Sequence, residues 1–198
     1  MKTPLNIIVS KTDEFVKKAF IANPHYSFGH WSVMYEHSVR VKELALKIAK
    51  NIDCDRELLA VGSLLHDIGK TKRAEPAVLH TEHEKYNLEV SEALIESFDI
   101  SADALSKLKD LISFRAESTE SRIVRDADAL ALCLDKRLYM LFIEWAVNET
   151  LYWTIHRKIN KYSKLNFEVS KIIGKQPLAQ MRQDWNDYLK LRQISLVV

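Results

Sequence analysis

A histidine followed directly by an aspartate, His66 and Asp67, ends an apolar run in the stretch "LLHDIGKTK" between Leu64 and Lys72. Placing two ionisable groups at the end of an apolar helix is costly unless a partner compensates their charge. Adjacent helical side chains diverge by about 100°, so both can reach one ion only near the end of a helix. A divalent metal ion would explain both the residue types and their position.

Two more ionisable side chains lie among apolar residues elsewhere in the chain. His37, in "EHSVRVKELAL", shares a predicted helix face with Val41 and Leu44, and Asp128, in "IVRDADALALCL", lies close to Val124. Together with the histidine–aspartate pair they would form a set of two nitrogen and two oxygen ligands from three helices. Such a set leaves the metal open among Mn, Fe, Co, Ni, Zn and Mg.

The order of these motifs resembles the HD-domain superfamily of metal-dependent phosphohydrolases. The resemblance is carried by His37 in "EHSVRV", by "LLHDIGK" and by "RDADAL", and it extends from about Tyr35 to Asp135. It implies an all-α, HD-domain-like helical bundle that hydrolyses a phosphoester with water activated by a divalent metal ion. The implied substrate is a nucleotide or another small phosphorylated molecule, and the implied ligands are His37, His66, Asp67 and Asp128.

The resemblance also suggests roles for residues around the ligands. We favour Asp128 over Asp126 as the last ligand, because the family's aspartate usually follows a small residue and precedes an apolar helix face, as in "ADAL". Lys70 takes the place of the family's lysine and is expected to meet a phosphate oxygen. Either His83 or Glu84 is expected to protonate the leaving group or support the water, so the expected catalytic residues are Asp67, Lys70, His83 and Glu84.

Further basic residues are candidates for binding the substrate phosphate. Besides Lys70, these are Arg40, Lys72, Arg73 and Arg115. Some members of the family bind a second metal through extra histidines, for which His80 and His83 are available here. The loop "SFRAEST" lacks the other extra histidine, so we expect one metal, with Arg115 as a phosphate clamp.

Apolar residues recur at helical spacing, and only four glycines and four prolines interrupt the sequence. We expect a single all-α domain over residues 1–198, with an HD-like core at about 33–135 and a helical C-terminal extension at about 136–198. Gly69 is expected to end the third helix in the left-handed conformation. The expected helices are Thr12–Ile21, Val33–Asn51, Arg56–Ile68 and about Glu84–Glu96, one capped by Ser101, one in "SRIVRDADALALCL", and two or three beyond Lys136 with breaks near Ser163 and at Gly174–Pro177.

Composition narrows the classes of partner. The net charge of +2 is too close to balance to indicate a nucleic-acid-binding protein, so we expect no nucleic-acid partner. No apolar run is long enough to span a membrane, and the N-terminus lacks a signal-peptide pattern, so we expect a cytoplasmic protein without a membrane partner. Cys54 and Cys133 lack CxxC spacing and are expected to be reduced.

Two other functions remain open. One is an HD-type oxygenase with two irons, which would need about six ligands; the other is a regulatory module that binds a nucleotide without turning it over. The aromatic stretch Leu138–Trp153 is interpreted as a core helix, with a homodimer interface or a lid over the substrate as alternatives.

Overall fold

The computed structural model describes residues 5–23, 28, 30–72, 75–114, 117–162 and 164–194, and within these ranges it contains nine α-helices and no strand. The predicted all-α fold is therefore confirmed. Short 3-10 turns follow α2 at Ala49–Asn51 and α3 at Ile68–Thr71. The helices are α1 Leu5–Ala22, α2 Trp31–Ile48, α3 Arg56–Leu65, α4 Pro76–Glu96, α5 Ala102–Ile112, α6 Thr119–Cys133, α7 Lys136–Asn148, α8 Tyr152–Tyr162 and α9 Glu168–Leu191.

Short polar side chains determine where several helices begin. Asp55, Ser101, Ser118 and Asp135 precede α3, α5, α6 and α7, and each accepts a hydrogen bond from a backbone N–H in the first turn. Such N-caps satisfy donors that a helix would otherwise leave unpaired. The cap at Ser101 is the one expected from the sequence.

Helix α2 is central because it packs against both α3 and α6. Its buried face includes Val41, Ala45 and Ile48, which are all nearly inaccessible to solvent. The three helices that carry the predicted ligands are therefore held together by apolar burial.

None of the described helices is long and apolar enough to cross a membrane.

Helix α4 begins eight residues earlier than expected. The segment before Glu84 looks like a polar connection in the sequence, but it is helical from Pro76 onward. Proline suits the first turn of a helix, and Leu79 is buried with 1% of its surface exposed. This anchoring extends α4 so that His80 and His83 both lie on it.

The turn after α3 also differs from the expectation. Helix α3 ends at Leu65, and Gly69 lies inside the 3-10 turn without a left-handed backbone conformation. Glycine is needed there for another reason, because a Cβ would lie 2.1 Å from the backbone oxygen of His83 on α4. The turn and α4 therefore touch backbone to backbone at this position.

The expected break at Gly174–Pro177 is wrong, because α9 continues through both residues. Proline inside a helix costs about 3 kcal/mol. Burial of Met181, Trp185 and Leu189, each worth roughly 1.5–3 kcal/mol, outweighs this cost. The indole N–H of Trp185 also donates to the backbone oxygen of Tyr139 at 3.0 Å, which joins α9 to α7.

The aromatic stretch from Leu138 to Trp153 is divided between two helices. Tyr139, Phe142 and Ile143 on α7 are buried, which agrees with the interpretation as a core helix. Trp153, at the start of α8, is 44% exposed. Helix α8 packs against α6 and α7 and so returns the chain towards the helix that carries Asp128.

Asp126 connects α6 to the C-terminal helix. It is 1% exposed, and its carboxylate accepts hydrogen bonds from the backbone N–H groups of Asn166 and Phe167 and from the Asn166 side chain, at 2.8–3.1 Å. Phe167 is the N-cap residue, directly before α9 begins at Glu168. Both carboxylate oxygens of Asp126 thus accept hydrogen bonds that stabilise the fold.

Neither cysteine forms a disulfide bond. Cys133 is buried on α6, and this burial raises the pKa of its thiol to about 12. A thiol with so high a pKa is a poor nucleophile or metal ligand.

We predict that Gly69→Ala lowers the free energy of unfolding by about 3 kcal/mol or more, because the new methyl group meets backbone that cannot move aside. The matched control is Gly62→Ala, whose Cβ would meet only the side chain of Leu111, at 2.4 Å. A flexible side chain can rotate away, so the control should lose about 1 kcal/mol. Urea denaturation measures both variants, and equal losses would contradict this account.

We predict that Asp126→Ala lowers the free energy of unfolding by about 2–4 kcal/mol, because buried N–H groups of Asn166 and Phe167 lose a charged acceptor. The same variant should keep its metal content, measured by elemental analysis. Loss of metal at unchanged stability would instead identify Asp126 as a ligand.

Candidate metal centre and the cavity beside it

The four predicted ligands lie together where α2, α3 and α6 meet. Ligand atoms of His37, His66 and Asp128 all lie within 4.8 Å of one another. Asp67 joins them, since its Oδ2 lies 3.6 Å from His37 Nε2 and 3.4 Å from His66 Nε2. His37, His66 and Asp67 are at most 4% exposed.

The ring of His66 is oriented for ligation. Its Nδ1 lies 2.7 Å from the backbone oxygen of Ser63, to which it donates, so the lone pair is on Nε2 when the ring is neutral. Nε2 is buried and makes no hydrogen bond with any described residue. A backbone carbonyl that fixes the imidazole in this way is a common arrangement in metal sites.

His37 approaches the same point from α2. Its Nε2 lies 3.1 Å from Oδ1 of Asp128, while its buried Nδ1 has no hydrogen-bond partner in the described part of the chain. Burial lowers the pKa of His37, against the opposing effect of Asp128. The ring is therefore mainly neutral near pH 7, as a metal ligand must be.

Positive charges surround the two carboxylates. Burial by itself would raise the pKa of Asp67, but Lys70, His66 and His83 hold it well below its ordinary value. Lys70 Nζ lies 2.6 Å from Oδ2 of Asp67 and His83 Nε2 lies 2.9 Å from Oδ1. Both oxygens of Asp67 thus have a cationic or proton-donating neighbour.

Cationic side chains on α8 compensate the negative charge of Asp128 in the same way. Its Oδ2 forms an ion pair with Lys161, while Oδ1 faces the imidazoles of His37 and His66. Burial opposes ionisation, but Lys161 and Lys158 hold the pKa of Asp128 well below its ordinary value. Asp128 is therefore ionised at neutral pH.

Protonation of His66 offsets part of the negative charge of Asp67 and Asp128. Burial would lower its pKa, but the nearby carboxylates of Asp67 and Asp128 outweigh that effect and raise it to about 9. In the metal-free protein His66 is therefore mainly protonated at pH 7. A metal ion that binds here must displace that proton.

Asn87 on α4 fixes the turn that carries His66 and Asp67. Its side-chain oxygen accepts from the N–H of Gly69 at 2.8 Å, and its amide N–H groups donate to the backbone oxygens of His66 and Ile112. This role of Asn87 was not predicted from the sequence. Its position one helical turn after His83 on α4 was the available signal, but the late start predicted for that helix obscured the shared face.

His83 lies beside the centre. Its Nδ1 faces the backbone oxygen of Leu79 at 2.9 Å, and its Nε2 faces Asp67. Both ring nitrogens thus face oxygen atoms, one on the backbone and one on the carboxylate of Asp67. Glu84, the other candidate acid, is exposed at the rim of the adjoining cavity.

A cavity of about 510 Å³ opens beside the carboxylates and imidazoles. Six cationic side chains and three carboxylates contribute to its lining. The carboxylates are Asp67, Glu84 and Asp128. The cations are Lys70, Arg125, Arg157, Lys158, Lys161 and Lys164.

Most of these cations come from α8 and the residues after it, a region to which the sequence analysis assigned no function. The signal was present in "HRKINKYSK", where basic residues recur at three- and four-residue spacing. It could not be interpreted without knowing that α8 packs beside Asp128. Burial together with Lys161 and Lys70 lowers the pKa of Lys158 to about 8, although Asp128 acts in the opposite direction.

The predicted phosphate-binding residues have different positions. Lys70 lines the cavity, whereas Arg40 pairs with Asp135 and lines a separate surface groove. Lys72 pairs with Glu89 and does not line the cavity either. These partners and positions disfavour the roles predicted for Arg40 and Lys72. Arg73 and Arg115 lie outside the described residues.

A second metal position is not indicated in the part of the chain that the structure describes. The only cluster of potential ligands found there is His37, His66 and Asp128. The side chain of His80 lies outside the described residues, and His83 contacts Asp67.

The residues present fit one divalent ion. The buried Nε2 of His66 lacks a hydrogen-bond partner among the described residues, and ionised oxygens of Asp67 and Asp128 face it. An ion between them would compensate charge that the metal-free site balances by protonating His66.

Comparisons with known proteins agree with this architecture. The HD domain family model matches residues 34–132. A crystal structure of an HD-superfamily hydrolase from Bacillus thuringiensis superposes with a TM-score of 0.66 over 97% of this chain and 100% of that one, at 16% identity. That likeness shows a shared fold.

Two curated relatives are similar in sequence over part of their length. Both are tRNA (cytidine(56)-2'-O)-methyltransferases. The one from Thermoplasma volcanium is 45% identical over 47 residues, or 24% of this chain and 14% of its own length. The one from Picrophilus torridus is 27% identical over 155 residues, or 72% of this chain and 43% of its own length. The chain thus spans less than half of either relative.

HD domains bind divalent metals, and membership of the family supports a metal-dependent hydrolase. The family match extends over half of the chain and includes His37, the His66–Asp67 pair and Asp128. The protein therefore belongs to the HD-domain superfamily.

Proposed function

We propose that the protein hydrolyses a phosphoester of a nucleotide or another small phosphorylated molecule, with one divalent metal ion held by His37, His66, Asp67 and Asp128. The observation that carries the proposal is the buried cluster of these groups beside a cavity rich in cations. Phosphoryl groups are anionic, so such a cavity favours them over neutral substrates.

A bound divalent ion would supply Lewis-acid polarisation of a phosphoryl oxygen and a more acidic water. The chain's own residues complete the site. Lys70 shares Oδ2 of Asp67 with the metal position, so a cation bound there would compete with it. Lys70, displaced from that oxygen, would then bind a phosphate oxygen.

His83 is suited to deliver a proton to the leaving oxygen. In the structure it lies against Asp67 at the cavity, with both ring nitrogens facing acceptors. Asp67 and the backbone oxygen of Leu79 would thus hold the ring at the cavity in a fixed orientation. Glu84 at the rim is more exposed and has no comparable contact with the predicted ligands in the described structure.

The names of the curated relatives describe a methyltransferase activity. The chain spans at most 43% of their length, so the methyltransferase activity in those names belongs to the whole relative. The oxygenase and the regulatory module remain alternatives that metal content and turnover distinguish.

We predict about one metal ion per chain in protein purified without chelator, and chelator-sensitive phosphate release from an aryl phosphate or a nucleotide with added Mn²⁺ or Co²⁺. His66→Ala and Asp128→Ala should each lose bound metal and at least about 100-fold in kcat/KM, because changes to groups that merely support a ligand often cost 10–100-fold. Elemental analysis and phosphate release measure the two effects.

The matched control is His156→Ala, because His156 is a histidine on α8 that does not line the cavity. It should keep metal and activity. Two irons per chain without phosphate release would contradict the proposal and favour the oxygenase. Bound nucleotide without turnover would favour the regulatory module.

We predict that metal binding displaces a proton from His66. Because its pKa is about 9 in the metal-free protein, this group should release about one proton at pH 7 and about half a proton at pH 9. Metal affinity should therefore rise as the pH increases from 7 towards 9. Calorimetric titration with Mn²⁺ in buffers of different ionisation enthalpy measures the release, and an affinity that falls over this range would contradict the assignment.

A further inference from the structure

The cavity holds more positive charge than its own carboxylates can balance. Arg157, Lys158 and Lys164 have no carboxylate partner within ion-pair distance among the residues that the structure describes. Elsewhere, Lys107 and Lys109 do have such partners. A divalent ion would offset Asp67 and Asp128, so the excess of positive charge would become larger when metal is bound.

These cations line the cavity, from Lys161 at Asp128 to the exposed side chains of Arg157 and Lys164. Lys161 contacts Asp128 directly, and Arg157 and Lys164 lie four residues before it and three residues after it. Arg157 and Lys161 therefore share a face of α8. Arg157 and Lys164 are both exposed, and both line the cavity. We call Arg157, Lys158, Lys161 and Lys164 the α8 cation strip.

A single phosphoryl group does not account for this strip. One phosphate carries about −1.5 to −2 charges at pH 7. At the metal centre its oxygens would be met by the ion and by Lys70. The outer cations of the strip would then remain without an anion.

We propose that the substrate carries two or more linked phosphate groups, and that the α8 cation strip binds the phosphates farther from the metal centre. This inference rests on the proposed hydrolysis at that centre. It names the substrate class as a nucleoside di- or triphosphate or another polyphosphorylated small molecule.

The shape of the site favours a small molecule over a nucleic-acid strand. The cations converge on one cavity of about 510 Å³, within the range of about 300–1,000 Å³ for small-molecule sites. A strand would need a basic surface that continues along its backbone.

The test is calorimetric binding of inorganic phosphate, pyrophosphate and tripolyphosphate to chelator-treated protein at low salt. Affinity should increase along this series, with tripolyphosphate at least about tenfold tighter than phosphate. The double variant Arg157→Gln/Lys164→Gln should weaken tripolyphosphate about tenfold and phosphate about twofold or less.

The matched control is Lys171→Gln/Lys175→Gln, which removes two exposed positive charges from α9 outside the cavity lining. Its affinity for tripolyphosphate should change less than about twofold. Equal affinities for phosphate and tripolyphosphate, or equal losses in the two double variants, would overturn the inference. The inference would also be overturned if a single-stranded oligonucleotide with a 5′-hydroxyl bound more tightly than tripolyphosphate and if that binding depended on Arg157 and Lys164.

Turnover separates this inference from the function on which it rests. With Mn²⁺, kcat/KM for a nucleoside triphosphate should exceed that for the corresponding monophosphate by about tenfold. The opposite order would overturn the inference and leave hydrolysis intact. Absence of turnover on every phosphoester would overturn the proposed function, while the binding series would still decide whether the strip binds linked phosphates.

Discussion

The structure depends on keeping two carboxylates ionised where three helices meet. Asp67 and Asp128 are largely shielded from water, which opposes their charge, yet both have pKa values well below the ordinary range. Cationic neighbours make this possible: Lys70 contacts one carboxylate and Lys161 the other. Unpaired buried charges would cost several kcal/mol, so the elements that supply these cations are bound to the site by electrostatics as well as by packing.

This requirement explains why the site includes elements beyond the three ligand helices. Helix α4 fixes the turn after α3 through Asn87 and brings His83 to Asp67. Helix α8 supplies Lys161 to Asp128, and Asp126 fixes the start of α9 by binding Asn166 and Phe167. The two aspartates of "DAD" therefore have different environments. Asp126 stabilises the start of α9, and Asp128 faces the imidazoles of His37 and His66.

The side chains at the centre were more predictable from the sequence than the elements around them. Local motifs indicated the four side chains that meet at the centre, and apolar periodicity indicated the all-α fold, because both depend on residues close together in the chain. The start of α4 at Pro76, the continuous α9 and the close contact at Gly69 depend on packing against distant segments, so local patterns gave wrong answers there. The α8 cations are visible as a basic run, but only the tertiary structure places them beside Asp128.

The most direct measurement is anomalous X-ray diffraction from crystals grown with Mn²⁺. The account predicts one strong peak bonded to Nε2 of His37, Nε2 of His66 and the carboxylates of Asp67 and Asp128, with Lys70 displaced from Oδ2 of Asp67. A peak at other residues would contradict it. So would a peak at this site that is not bonded to Nε2 of His66 at saturating Mn²⁺.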